Sequence, residues 1–413
     1  MKKMKIVRTI SRIFVGIIFI FSGFVKVIDP LGSTYKFVDY FNAFHMSFFI
    51  PFAIYLAILL SIAELIIGIS LLFNVKIKIG AWSVLLFMSF FTFLTFILAI
   101  YNPVSDCGCF GDALILTNWQ TFFKNLIIIV PTIIIFIERN KFKTSYSCIE
   151  QWSIVGFFAI VMFYISIYSY NHLPIIDFRP YKIGTHIPEK MIIPDNAPQD
   201  EYETLLYYEK DGEVKEFSLK NIPDSTWTWV ETKNKLLKQG YHPPIHDFSI
   251  STIDGDDITD IILDSDDYYF LLVAYNIETT DLDCQNKVND FADFCLDNGF
   301  KFICLTSSTN EQIEDFRQIT NAQYEFGNTD EITLKTIIRS NPGLVLLKKG
   351  VIINKWHFND IPEINQLSNK FIATSLTKYK SQKDNYLIIS LIVSSLLLLC
   401  LYDRMRIRFK KSV

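Results

Sequence analysis

The sequence predicts an α-helical membrane bundle into which one large α/β domain is inserted. Three observations predict it. Half of the 413 residues are hydrophobic and 37 are Phe, more apolar material than a soluble domain of this length buries. That material is gathered into six separate runs. Between the fifth and sixth runs lies a stretch of more than 200 residues that carries most of the acid and alternates strand-like with helix-like patterns. The formal net charge of −4 hides this division, because outside that stretch Lys and Arg outnumber Asp and Glu and gather mostly at the two termini and in two short loops.

The first run, residues 13–28, follows Lys2, Lys3, Lys5, Arg8 and Arg12 and superficially resembles a secretory signal. Lys26 interrupts it, no small-residue cleavage site follows, and it leads into Asp29-Pro30, so a retained first helix is expected. The other runs cover residues 48–73, 79–101, 122–137, 152–170 and 386–402. At a rise of about 1.5 Å per residue, roughly 20 residues cross the hydrocarbon core. The first and fourth runs are short, so Arg12, Lys26 and Lys124 are expected to snorkel.

Loop charges set the orientation. The basic segments are the N-terminus, Lys76 and Lys78, residues 139–143, and the tail with Arg404, Arg406, Arg408, Lys410 and Lys411. Six spans place all four on one side, and the positive-inside rule makes that side cytoplasmic. The expectation is a multi-pass protein of the bacterial inner (cytoplasmic) membrane, with its large domain extracytoplasmic. The lipid bilayer is therefore an expected partner; no basic stripe suggests nucleic acid.

The chain divides accordingly. Residues 1–140 hold four spans, 141–171 the fifth, 172–239 a β-rich linker region, 240–380 an α/β domain, and 381–413 the sixth span with its basic tail. In the linker region, Thr204-Leu205-Leu206-Tyr207-Tyr208, the turn Asp211-Gly212 and residues 214–219 read as a hairpin, with residues 225–229 extended after it. In the α/β region, strands are expected at 246–253, 268–275, 300–305, 343–347 and 351–356. Helices are expected at 283–296, 311–320 and 330–338, with a closing helix over 360–379.

That order resembles thioredoxin. Ser340-Asn341-Pro342-Gly343, followed by a strand and a Lys-Gly turn, is similar to the segment where that family carries its cis-proline, which makes Pro342 the candidate. The family carries Cys-x-x-Cys at a helix N-terminus after its first core strand, where the dipole lowers the thiol pKa. Here the matching stretch is Asp281-Leu282-Asp283-Cys284, so the resemblance implies a domain without dithiol exchange of its own. Cys295 and Cys304 read as core residues.

The chemistry-bearing stretch is Asp106-Cys107-Gly108-Cys109-Phe110-Gly111-Asp112, between the third and fourth spans. A Cys-x-Cys loop reads as a redox-active disulfide, as a soft-metal site or as a static clip. Two thiolates are too few for four-coordinate zinc and no His lies nearby in sequence, leaving copper(I) as the metal alternative. A disulfide closing so small a ring is strained and exchanges readily, with Gly108 helping the backbone to reach the needed angles. Such a clip restrains the unfolded chain little. Asp106 and Asp112 are expected to keep the loop solvated and to disfavour a thiolate. Lys26 and Glu64 fall inside predicted spans, where an isolated charge costs about 2.5–3.5 kcal/mol; either the two pair within the bundle or Glu64 lines a polar cavity, with snorkelling the other reading for Lys26.

Residues 12–16 (Arg-Ile-Phe-Val-Gly), Phe21-Ser22-Gly23-Phe24-Val25-Lys26-Val27, Asp29-Pro30, Glu64 and Gly68 resemble the DoxX-like proteins. Cys107-Gly108-Cys109-Phe110-Gly111 resembles the related MauE proteins of methylamine utilisation. Those are four-helix membrane proteins grouped with quinone-linked disulfide-forming enzymes. The resemblance implies a membrane thiol–disulfide oxidoreductase supporting exported proteins, with Cys107 and Cys109 as the catalytic pair. Beside that pair, the residues themselves offer Asp106, Asp112, Glu64 and Lys26 as supporting candidates, and the resemblance points to a membrane quinone as cofactor and an exported thiol protein as partner. The alternative is a non-enzymatic scaffold or assembly factor that binds a partner through the redox-inactive thioredoxin-like domain.

Overall fold

A computed structural model describes residues 2–238 and 240–363. The apolar runs become helices α1 (Lys2–Ile28), α3 (Ala53–Phe73), α4 (Ile77–Tyr101), α5 (Asn118–Ile137) and α6 (Cys148–Asn171), with a short α2 (Pro30–Ala43) between the first two. Among the described residues, five helices are long and apolar enough to cross a membrane, and the chain is a multi-pass membrane protein. The sixth apolar run, the basic tail and all but the start of the expected closing helix lie outside the described residues. Where that helix was to begin, Phe358–Asp360 forms a single 3-10 turn and residues 361–363 are not helical.

The bundle is built on close contact between α1 and α3. A Cβ added at Gly68 would lie 2.6 Å from the Ile20 nitrogen, and one at Gly23 would lie 2.6 Å from the Leu65 nitrogen. Small residues thus let two helix backbones touch, which is how helices associate when lipid and side chains are equally apolar. Val15, Phe19, Leu71, Ala81, Val84 and Ile135 fill the interior, while Leu86, Phe90, Phe93, Ile127 and Ile160 face outward.

The expected snorkelling is not what happens. The fourth span starts before its apolar run because Thr117 and Gln120 form a reciprocal capping box, giving a helix of 20 residues. Helix α1 has 27 residues, so neither span is short. Lys26 instead pairs with Glu64 at 2.7 Å, and both line an interior cavity, so the pairing and the cavity reading hold together; Lys124 lines the same cavity. Arg12 donates to the Leu71 carbonyl at 2.6 Å.

The three basic segments among the described residues meet at one end of the bundle. Arg8 pairs with Glu138 at 3.5 Å, the Asn74 amide donates to the Lys143 carbonyl at 2.7 Å, and the Lys76 amide donates to Gln151 at 2.8 Å. The Cys107–Cys109 loop, α2 and the α/β domain share the opposite end. Helix α2 carries no apolar run and was not expected. Its start is nonetheless encoded, since Asp29 caps it by accepting from the Gly32 amide at 2.9 Å and Pro30 occupies its first turn.

After α6 comes α7 (Ile187–Met191), then an antiparallel sheet of β1 (Glu201–Lys210), β2 (Glu213–Ser218) and β3 (Thr228–Lys238) in the order β2-β1-β3. The hairpin around Asp211-Gly212 forms as expected, both residues having positive φ. The α/β domain follows as β4 (Ser251–Thr252), α8 (Thr259–Leu263), β5 (Tyr269–Val273), α9 (Gln285–Asp297), β6 (Lys301–Thr306), α10 (Asn310–Thr320), β7 (Glu325–Asn328), α11 (Glu331–Ile337), β8 (Gly343–Lys348) and β9 (Val351–His357). Its sheet runs β4-β7-β6-β5-β8-β9, with β5, β6 and β7 parallel and β8 and β9 antiparallel. The Asn341-Pro342 bond before β8 is cis. This is the thioredoxin-like arrangement that the sequence predicts.

Two expectations change. The strand over 246–253 shrinks to Ser251–Thr252, because Phe248 and Ile250 pack into the core from irregular chain that Thr259 and Asp257 hold. Strand β7 was not foreseen, being only four residues long. Cys284, Cys295 and Cys304 belong to the apolar layer between α9, α10 and the sheet, with Phe270 and Phe291.

His357, at the end of β9, is 2% exposed and accepts from the Asn359 amide at 3.2 Å. Burial, with His172 nearby, lowers its pKa to about 4. Between about pH 6.5 and 4 the unfolded chain therefore binds the proton that the folded domain refuses, and stability falls as pH falls through that window. His357→Asn keeps the acceptor and removes the titration. Its melting temperature should drop less than that of the native chain from pH 6.5 to 4, a difference on the order of 2 kcal/mol.

Candidate functional site

Cys107 and Cys109 are joined in a disulfide, their Cα atoms 5.5 Å apart. Gly108 between them has φ +64°, a conformation that glycine alone adopts without cost. The loop is gripped on every side. The Tyr40 hydroxyl donates to the Cys107 carbonyl at 2.9 Å, and the Ser22 hydroxyl donates to the Cys109 carbonyl at 2.6 Å. Asp106 accepts from the Gly108 amide at 2.8 Å and from the Lys36 ammonium at 2.7 Å.

The flanking carboxylates are thus not the solvated, uncompensated charges that the sequence suggests. Asp106 is neutralised by Lys36 of α2. Asp112 is neutralised by Arg339, whose Nη2 lies 2.6 Å from it and whose Nε lies 3.1 Å from Asp29. Sequence reasoning missed Lys36, Tyr40, Ser22 as a ligand of the loop, and Arg339. None has a local motif, and Arg339 is 227 residues from its carboxylate. The available signal was a lone Arg beside Ser340-Asn341-Pro342.

On one side the loop lines a cavity of about 250 Å³ between α1, α2, α3, α4 and α5. Its walls are aromatic and aliphatic, with Phe37, Phe41, Phe87, Phe91, Met88 and Leu94 among them. Its polar features are few and convergent. Lys26 pairs with Glu64 and lies 3.3 Å from the Ser22 hydroxyl that holds Cys109. The Lys124 ammonium lies 4.4 Å from the centroid of Phe110, the residue after Cys109. Lys26 and Glu64 therefore join the disulfide in one chamber. Among the described residues no group of three or more His, Cys, Asp or Glu side chains is placed to hold a metal ion.

Pro342 and the remnant of the thioredoxin-like exchange site form a separate cluster. The Asp281 amide donates to the Asn341 carbonyl at 2.9 Å, so the residue standing for the family's first cysteine abuts the cis-proline. Cys284 is 6% exposed, its Sγ donates to the Asp281 carbonyl at 3.4 Å, and burial pushes the thiol up to about 12. Burial also raises Cys295 and Cys304, so no free thiol of this domain is primed for exchange.

Alanine at Gly108 would place its Cβ 2.8 Å from Lys36 Cγ and force a side chain into left-handed backbone. That conformation costs about 1–2 kcal/mol, a cost the opened loop relieves. In Gly108→Ala the closed-to-open ratio of the pair at a fixed glutathione ratio, read by alkylation and mass spectrometry, should fall about tenfold.

The model of methylamine utilisation protein MauE matches residues 4–138, and a domain of unknown function (DUF8463) matches residues 202–239, the three-stranded sheet. No curated protein matches the chain. Among solved structures, a presumed protein disulfide isomerase from Bacteroides thetaiotaomicron is 17% identical, with a TM-score of 0.23, covering 33% of this chain and 85% of that one. A secreted disulfide oxidoreductase of Mycobacterium tuberculosis is 10% identical, with a TM-score of 0.23, covering 32% of this chain and 95% of that one. The chain thus joins a membrane region whose residues 4–138 match the MauE model to an α/β domain of thioredoxin-like topology.

Proposed function

We propose that this protein is a membrane thiol–disulfide oxidoreductase in which Cys107–Cys109 oxidises thiols of exported proteins and returns the electrons to a membrane quinone. The observation that carries the reading is that the disulfide forms part of the wall of an apolar, aromatic-lined cavity holding Lys26, Glu64 and Lys124. Two substrate thiols give a substrate disulfide as Cys107–Cys109 becomes a dithiol. Closing the pair again releases two electrons and two protons.

The cavity fits a quinone head. Phe87 and Phe91 offer aromatic faces to a ring, and the ammonium groups of Lys124 and Lys26 offer donors to carbonyl oxygens. A quinone bound there would supply a two-electron, two-proton acceptor. The chain's own part is to orient and to exclude water. Ser22 fixes the Cys109 carbonyl, and Lys26 bridges Ser22 to Glu64, which places a carboxylate able to take up protons in the same chamber.

The orientation proposed is the basic end of the bundle in the cytoplasm, with the disulfide loop and the α/β domain outside an inner membrane, where an oxidised pair persists. The scaffold alternative gains less support. The cis-proline end of the α/β domain is directed at the bundle through Arg339 and Tyr275, which favours a role for that end within the chain.

Two experiments test this. Single cysteines introduced as Ser33→Cys, Lys78→Cys and Asn310→Cys should be labelled by an impermeant maleimide in intact cells at the first and third sites; labelling at Lys78→Cys or protection at Asn310→Cys overturns the orientation. In Cys109→Ser the remaining Cys107 thiol should accumulate mixed disulfides with exported proteins, seen as reducible adducts on gels. A wild-type pair fixed in one oxidation state under reducing and oxidising growth, with no adducts in Cys109→Ser, would sink the redox reading.

A further inference from the structure

Arg339 precedes the cis-proline loop of the α/β domain, yet both of its side-chain anion partners belong to the membrane region. Its Nε lies 3.1 Å from Asp29 and its Nη2 lies 2.6 Å from Asp112, while Nη1 donates to the Lys335 carbonyl at 2.7 Å. The side chain is 6% exposed. Burial opposes its charge, but Asp29 and Asp112 outweigh burial and raise its pKa, so the guanidinium stays protonated. Around it the Tyr35 and Tyr275 hydroxyls lie 3.3 Å apart, and the Lys335 ammonium lies 5.0 Å and 5.2 Å from the centres of their rings.

The two carboxylates are not equivalent. Asp112 lies three residues beyond Cys109, on the C-terminal stem of the disulfide loop. Asp29 caps α2, and α2 supplies Lys36 and Tyr40, which hold Asp106 and the Cys107 carbonyl on the N-terminal stem. One guanidinium therefore ties together the two supports that keep the cysteine backbones at a separation suited to a disulfide.

We propose that Arg339 is a positioning residue for the Cys107–Cys109 pair, and that docking of the α/β domain's cis-proline end favours the closed disulfide. The inference rests on the redox reading above only in requiring that the pair changes oxidation state. A docked domain that grips both stems resists the relaxation that follows opening of the bridge. By thermodynamic reciprocity, opening the bridge must then loosen the docking. The thioredoxin-like domain thus acts on the disulfide of another domain without a thiol pair of its own.

The test uses the full chain in lipid nanodiscs equilibrated with glutathione buffers. The closed fraction of Cys107–Cys109 is read by differential alkylation and mass spectrometry, and docking by backbone amide exchange over residues 29–40 and 335–342. Arg339→Ala should lower the closed-to-open ratio at least about fivefold, the lower end of usual coupling between sites. Arg339→Lys, which keeps the charge but has no fork to span both carboxylates, should fall between Arg339→Ala and the native chain. In the native chain, reduction should speed exchange in both segments. If Arg339→Ala titrates like the native chain, the positioning role is overturned while the redox function stands. If Arg339→Ala does not fold, Asp112→Asn decides: a shift in the same direction supports the proposal, and an unchanged titration overturns it. A native pair that does not titrate at any glutathione ratio overturns both the coupling and the function it rests on.

Discussion

A guanidinium almost removed from water between two carboxylates, one on each side of a helix and a loop, fixes how the two halves of this chain meet. Arg339, Asp29 and Asp112 join a group of buried charges that extends through Arg179, Asp177 and Lys355. Three cations thus face three carboxylates, a balance that desolvated charges need. Removing one partner of a buried pair costs about 3–5 kcal/mol, because the survivor stays buried and uncompensated. Burial still lowers Lys355 to about 8, although Asp177 pulls the other way; the neighbouring Arg179 adds to the lowering. Even the chain beside the clamp is shaped by it. A Cβ at Gly32 would stand 2.6 Å from Asp29 Oδ2 and 2.9 Å from Arg339 Nη2.

The same economy governs the membrane interior. Lys26, Glu64 and Lys124 line one chamber, whereas charges facing lipid would be costly. Lys26 and Glu64 neutralise one another, and Lys124 is held against the π-face of Phe110. Close packing of α1 on α3 at Gly16, Gly23 and Gly68 shapes one side of this chamber by drawing two backbones together. The polar residues that a bundle tolerates least are therefore those gathered nearest the disulfide. That is the strongest physical reason to treat the chamber as chemical and not as a packing fault.

Much of this was legible in the chain, and the rest was hidden for identifiable reasons. Apolar runs gave the spans because hydrophobic length is a one-dimensional property. The Lys26–Glu64 pair was legible because the spans leave so few charges to choose between. Pro342 was legible from its neighbours Ser340, Asn341 and Gly343. Helix α2 was not, although Asp29-Pro30 announces its start, because its apolar residues follow no strong period. The partners of Asp106 and Asp112 were invisible for a different reason. Lys36 and Arg339 come to the loop from 70 and 227 residues away, and sequence proximity carries no information about such pairings.

That hidden pairing also explains why a thioredoxin-like domain could lose its thiols and keep its fold. In this chain the cis-proline segment meets the disulfide-bearing region through Arg339, while Cys284 stays in the core. Here the segment around Pro342 is retained in cis, with the Ser340 hydroxyl donating to the Pro342 carbonyl and the Asn341 amide donating to the Asn276 carbonyl at 2.8 Å. The cysteine left at position 284 is buried, and that burial pushes its thiol pKa up. A domain with its recognition end intact and its nucleophile withdrawn can hold a disulfide-bearing loop without competing for its electrons. Arg339 makes that loop one belonging to the same chain.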